Sequence, residues 1–138
     1  MINIAPAEDL LSIALKNVLS YRDDEEYYEL IHDWNKTIII DVERFYPVAV
    51  KFEGDTISFN MDIPKKYDLK ITMDINTMMD IAYGRSSPLM KVLTRKIKIK
   101  GILKVGTILK FMKIFLKSMK MVADDPNDKY YEINKDTR

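Results

Sequence analysis

The spacing of apolar residues changes twice along this chain, from helical steps to alternation and back. Leu10, Leu11, Ala14, Leu15, Val18 and Leu19 recur at three- and four-residue steps, which predicts a helix running to about Ser20. Pro6 suits its start, and Glu8 and Asp9 suit the positive end of its dipole; residues 1–5 read as a loose lead-in. Asp23 or Asp24 is placed to cap a second helix, with Glu25 and Glu26 in its first turn and Tyr27, Leu30, Ile31 and Trp34 on one face. From Lys36 the period becomes two. Residues 37–42 form a β-branched run, Val48, Val50 and Phe52 alternate with Ala49 and Lys51, and Ile57, Phe59 and Met61 alternate with Ser58 and Asn60. With Glu53-Gly54-Asp55-Thr56 as a hairpin turn, this predicts an antiparallel meander of three strands. Pro64-Lys65-Lys66 interrupts it, and Leu69, Ile71 and Met73 begin again as a fourth strand.

The chain is organised around residues 74–122. Asp74 is placed to cap a helix carrying Met78, Met79 and Ile81, with Gly84 as its stop. Pro88 opens a short helix bearing Leu89, Met90, Val92 and Leu93. Ile97 and Ile99 alternate with Lys96, Lys98 and Lys100, a fifth strand with one wet face, closed by Gly101. After Gly106, Ile108, Leu109, Phe111, Met112, Phe115, Leu116 and Met119 recur at helical steps, while Lys110, Lys113, Lys117 and Lys120 share a stripe in the gaps. Residues 124–128 read as a turn that ends this helix and opens an acidic tail, 124–138. Residues 1–123 then make a single domain.

Charge sharpens this division. The chain of 138 residues has a net charge of +1, yet residues 81–123 hold eleven Lys and Arg and no Asp or Glu. The remainder carries the other 22 − 11 = 11 cations and all 21 acids. A surface this bipolar offers its basic side to phosphates of lipid or nucleic acid. Nucleic acid is disfavoured because the aromatics among the cations are few, Tyr83, Phe111 and Phe115, and the phenylalanines fall on the apolar face, leaving no stacking platform. No apolar run approaches the roughly 20 residues that span a bilayer and no signal peptide opens the chain, so the expectation is a cytoplasmic protein.

Candidate chemistry is sparse. With no cysteine, thiolate metal sites, disulfides and cysteine nucleophiles are excluded together. His32 is the one histidine; it sits beside Asp33 on the acidic half, far in sequence from Ser86 and Ser87. Asp41 and Glu43 share a strand face but read as solvent-facing, and Gly101 to Gly106 lacks the Lys-Ser/Thr ending of a phosphate loop. The acids of 124–128 do not have the spacing of a calcium loop. No enzyme, cofactor or metal is expected, and nothing in the pattern bears on oligomeric state.

The order helix, three-strand meander, crossover, strand, helices, strand, long helix resembles the sterol carrier protein type two domain, the sterol-transfer fold. The carrying residues lie in 74–115: the helix stopped by Gly84, Pro88-Leu89-Met90, the strand Lys96-Ile97-Lys98-Ile99-Lys100-Gly101 and the helix after it. The family often has glycine just before this strand and a polar residue just after its closing glycine; here Arg95 and Ile102 stand there. The resemblance implies an α+β fold, a mixed five-stranded sheet covered on one face by helices. Between them it implies an apolar tunnel taking sterols, fatty acids or acyl-coenzyme A.

On that reading the lipid-binding residues are Phe59, Met61 and Met73 from the first strands, Met78, Met79 and Ile81 from the helix after Asp74, and Leu89, Met90 and Leu93 from the next. Ile97 and Ile99 on the basic strand and Leu109, Met112, Phe115, Leu116 and Met119 on the long helix complete the set. Methionine's adaptable side chain, present nine times, suits a wall that must fit changing shapes. Lys110, Lys113, Lys117 and Lys120 would rest on an anionic membrane or meet phosphate, each nearby cation contributing roughly 1 kcal/mol. The expected function is a non-catalytic carrier of an apolar lipid. The second reading is an accessory or scaffold domain that holds a quinone or isoprenoid intermediate, or a partner enzyme.

Overall fold

The computed structural model describes residues 2–82, 85 and 87–124. Helices α1 (Leu10–Ser20) and α2 (Glu25–Ile31) come first. α1 begins at Leu10 rather than directly after Pro6 because Asp9 supplies the cap. Its Oδ2 accepts from the Ser12 amide at 3.0 Å and from the Tyr46 hydroxyl at 2.8 Å, and that hydroxyl accepts from the Leu11 amide at 2.8 Å.

Of the two candidates, Asp24 caps α2, accepting from the Tyr27 amide at 3.2 Å. It also accepts from Nε and Nη2 of Arg22, at 2.8 and 2.7 Å, and the Arg22 side chain is fully buried over the Tyr27 ring. The Arg22 guanidinium first, then the Tyr27 amide, hold the Asp24 carboxyl down to about 2. A carboxyl depressed in the folded state stabilises it above the unfolded value, so this contribution is complete above about pH 4 and disappears as the pH falls to about 2. Asp24→Asn should remove about 1 kcal/mol of the stability measured at neutral pH, after allowing for the screening felt by a partly exposed carboxylate. The variant should then show a shallower acid limb in urea titrations between those two pH values; an unchanged acid limb would mean that the ion pair contributes nothing.

Trp34 belongs to the turn after α2, not to its face. The helix stops at Ile31, Asp33 takes a positive φ of 57°, and the Trp34 amide donates back to the Ile31 carbonyl at 3.0 Å. This turn lays the indole against Phe52, with 4.9 Å between ring centroids.

The strands are β1 (Asn3–Ile4), β2 (Lys36–Val42), β3 (Pro47–Glu53), β4 (Thr56–Asn60), β5 (Leu69–Met73) and β6 (Ile97–Lys100), in one mixed sheet of order β1-β4-β3-β2-β5-β6. The meander β2-β3-β4 is antiparallel; the chain then crosses to the far side of β2, where β5 runs parallel to it and β6 antiparallel to β5. Six strands stand where five were expected. The lead-in is the sixth: the Asn3 and Ala5 amides donate to the carbonyls of Asp55 and Ile57 at 2.7 and 2.8 Å, closing the edge of β4.

Helices α3 (Ile75–Ala82), α4 (Pro88–Leu93) and α5 (Val105–Asp124) follow. Asp74 caps α3 through the Thr77 amide at 2.7 Å, and Ser87 caps α4 through the Met90 amide at 3.2 Å. The expected stop at Gly84 and the tail turn after 124 lie outside the described residues. Arg95, at the position where the resemblance leads one to expect glycine, takes the left-handed conformation at φ 61°.

Along β2, Ile38, Ile40 and Val42 face the helices and are buried, as are Val48, Val50 and Phe52 on β3 and Ile57 on β4. Leu11, Leu15 and Leu19 of α1, Tyr27 and Ile31 of α2, and Phe111 and Ile114 of α5 complete this core. The other sheet face pairs Ile39 with Ala49, and carries Lys51, Lys70, Lys98 and Lys100 at its outward register positions.

A hollow over the β5–β6 half of the sheet as candidate lipid site

The helical layer does not pack evenly on the sheet. Over β3 and β4 it covers Val48, Val50, Phe52 and Ile57 completely; over β5 and β6 it leaves a hollow of about 450 Å³, within the roughly 300–1,000 Å³ usual for small-molecule sites. The floor is Ile40 of β2, Leu69, Ile71 and Met73 of β5, and Ile97 and Ile99 of β6. Their alternation puts them on the helix side in register, Ile71 opposite Ile99 and Met73 opposite Ile97. The walls are Leu15 of α1, Met78 and Ile81 of α3 and Val92 of α4.

The roof is α5, which has two apolar stripes instead of one. Ile114 and Ser118, both fully buried, turn towards the core, Ser118 Oγ donating to the Ile114 carbonyl at 2.9 Å. Met112, Phe115, Leu116 and Met119 turn to the hollow, preceded by Ile108 and Leu109, and Phe111 touches both. Among the described residues no lining side chain carries a charge, hydroxyl or amide. The hollow therefore suits an alkyl or isoprenoid chain, with about 0.8 kcal/mol to gain per methylene taken from water. A polar end has nothing to meet inside and would stay at the mouth. Ile102, Val105 and Leu109 mark that mouth, since each lines the hollow and is also more than half exposed, at 55%, 57% and 54%.

Ten of the residues singled out from sequence line this space: Met73, Met78 and Ile81, Ile97 and Ile99, and Leu109, Met112, Phe115, Leu116 and Met119. Four others stand elsewhere. Phe59 packs against the core from β4, which lies three places from β5 in the sheet order, and Met61 follows that strand, 52% exposed. Met79 is one helical position round from Met78 and misses the lining, and Met90 is 54% exposed. The side chains of Leu89 and Leu93 lie outside the described residues. Leu15, Ile40, Leu69, Ile71, Val92, Ile102, Val105, Ile108 and Phe111 line the hollow without having been singled out. Weighting methionine passed over the aliphatics. Register could have found Leu69 and Ile71, because they share a strand face with Met73.

The four lysines of α5 do not form one free stripe. Lys110 Nζ lies 5.3 Å over the Trp34 ring, and Lys117 Nζ pairs with Glu26 Oε2 at 3.0 Å. Lys113 and Lys120 are exposed. His32 stacks on Tyr28, its Nδ1 3.1 Å from the Tyr28 hydroxyl and its Nε2 3.1 Å from Asp33. Among the described residues no three His, Cys, Asp or Glu gather as a metal site, and no helix is long and apolar enough to cross a membrane.

No curated protein sequence matches the chain. Among solved structures, the apo sterol carrier protein 2 of Yarrowia lipolytica superposes with a TM-score of 0.58 at 18% identity, over 78% of this chain and 90% of that one. The ubiquinone synthesis protein UbiJ-SCP2 gives 0.58 at 10% identity, over 77% and 85%. Palmitated SCP2L2 of Aedes aegypti gives 0.55 at 11%, over 72% and 87%. These likenesses establish a shared fold, and the sequence carries the assignment further. Residues 5–116 match the SCP-2 sterol transfer family, and the chain belongs to it.

Proposed function

We propose that the protein is a non-catalytic cytoplasmic carrier that holds one apolar lipid, a fatty acyl, sterol or isoprenoid chain, in the hollow beneath α5. The observation that carries this is a wholly apolar space of about 450 Å³ with its mouth at Ile102, Val105 and Leu109. Membership of a lipid-transfer family supports it. So does the palmitated form of the Aedes aegypti protein of the same fold. The described lining is Leu, Ile, Val, Met and Phe, side chains suited to binding and not to nucleophilic or acid–base chemistry, which supports binding without chemistry. Displacement of a fluorescent fatty acid tests the reading directly. Saturable binding with one site per chain is expected, together with a co-purifying lipid mass in native mass spectrometry. A protein that neither carries lipid nor takes up the probe would end the proposal.

The second reading is an accessory domain that presents an isoprenoid quinone intermediate to a partner enzyme. It is favoured by the ubiquinone synthesis protein of the same fold, which matches over most of both chains. A stable enzyme partner recovered together with a polyisoprenoid mass would select it over free transfer.

A further inference from the structure

The turn between β6 and α5 breaks the usual rule for a surface turn. Such turns favour Gly, Asn, Asp and Ser, whereas this one reads Gly101-Ile102-Leu103-Lys104 and enters α5 at Val105. Leu103 is 92% exposed and lines nothing, while Ile102, Val105 and Leu109 beside it face solvent and the hollow together. This exposure is built in. Gly101 holds φ at +94°, and a Cβ there would meet the Asp68 carbonyl oxygen at 2.6 Å. The Lys104 amide donates to the Gly101 carbonyl at 2.9 Å, and Lys104 Nζ lies 3.4 Å from Asp68 Oδ1. The turn is thus pinned to the start of β5 with its leucine pointing away from the protein.

Its surroundings are cationic. Lys98 and Lys100 occupy the exposed positions of β6 leading into the turn, Lys104 sits within it, and residues 81–123 contain no acid. Asp68, the acid at its base, already faces Lys36 at 3.7 Å as well as Lys104.

We propose that residues 101–105 with Leu109 are a membrane-docking lip: Leu103 enters the acyl region of an anionic bilayer while Lys98, Lys100 and Lys104 meet the headgroup phosphates. Two observations select a bilayer as the occupant. The charge is complementary to anionic lipid. Ile102, Val105 and Leu109, which flank Leu103, also wall the mouth, so a lipid would pass from bilayer to hollow along a continuous apolar path. The inference rests on the carrier reading, to which it adds the place and chemistry of loading. It also places membrane contact at the end of the molecule where the hollow opens rather than along the lysines of α5.

Vesicle co-sedimentation, with phosphatidylcholine alone and with phosphatidylserine added, tests it beside the soluble fatty-acid assay. Wild type should bind the anionic vesicles. Leu103→Asp should weaken that binding about tenfold, the loss expected when one leucine side chain is withdrawn from an apolar phase, yet take up the soluble probe as wild type does. Leu103→Trp should gain emission that brominated lipids quench, which wild type lacks because its one tryptophan, Trp34, is buried. Wild-type vesicle binding by Leu103→Asp, unquenched emission from Leu103→Trp, or a Leu103-dependent dimer in solution would each overturn the lip. Loss of the soluble probe from wild type with vesicle binding intact would instead overturn the carrier reading and leave the lip standing.

Discussion

Met112→Trp should abolish most lipid binding while leaving the protein folded. Met112 hangs from α5 into the hollow, with Leu116 one turn further on, so an indole at this position would occupy the volume a guest chain needs. Affinity for a fluorescent fatty acid should fall at least tenfold, where each factor of ten is about 1.4 kcal/mol. Stability should hold or rise, because the ring fills empty space and gains contacts that the void denies its lining. Met61→Trp is the matched control. It adds the same ring at a methionine that is 52% exposed and outside the lining, so binding there should not change. Equal affinity in Met112→Trp and wild type would mean that the guest does not sit under α5.

The largest effect on stability should come from the other stripe of the same helix. Ile114 is fully buried in the core cluster and outside the lining of the hollow, so Ile114→Ala leaves a new cavity, at a cost of about 2–5 kcal/mol. Met112→Ala, two positions away, removes a partly buried side chain that already borders empty space, and should fall below the roughly 2–5 kcal/mol of a packed site. Urea denaturation of the two variants compares them in one experiment. Equal losses would show that the hollow is collapsed in solution, with Met112 packed as tightly as Ile114.

Much of the fold was legible because each signal was local. Asp24 and Asp74 cap where capping residues are wanted, Gly54 turns the hairpin at φ 66°, and the runs read as strands fall on β2 to β5 within a residue at their ends. What escaped depends on partners distant in sequence. Two residues at 3–4 become a strand only because β4 presents an open edge, and α1 starts at Leu10 because Tyr46 arrives from the β2–β3 corner. The site was read in part for the same reason. Period reveals which face of an element is apolar, but not whether that face meets another element or a void. Phe59 and Met73 look alike along the chain and differ only in their place in the sheet order. The lip left a readable trace, since Ile102 stands where the resemblance leads one to expect a polar residue, but only Leu103's exposure gives that departure a direction.

The hollow's position over β5 and β6, with β6 paired on one side only, has one further consequence. On the carrier reading, a guest of greater girth should displace β6 before any other strand, since in the sheet order it pairs with β5 alone. The opposite margin, β1, β4 and β3, gives no described residue to the lining and holds the buried Val48, Val50, Phe52 and Ile57, so it serves as a keel. On the carrier reading, a molecule divided in this way should change what it carries without putting its own integrity at risk.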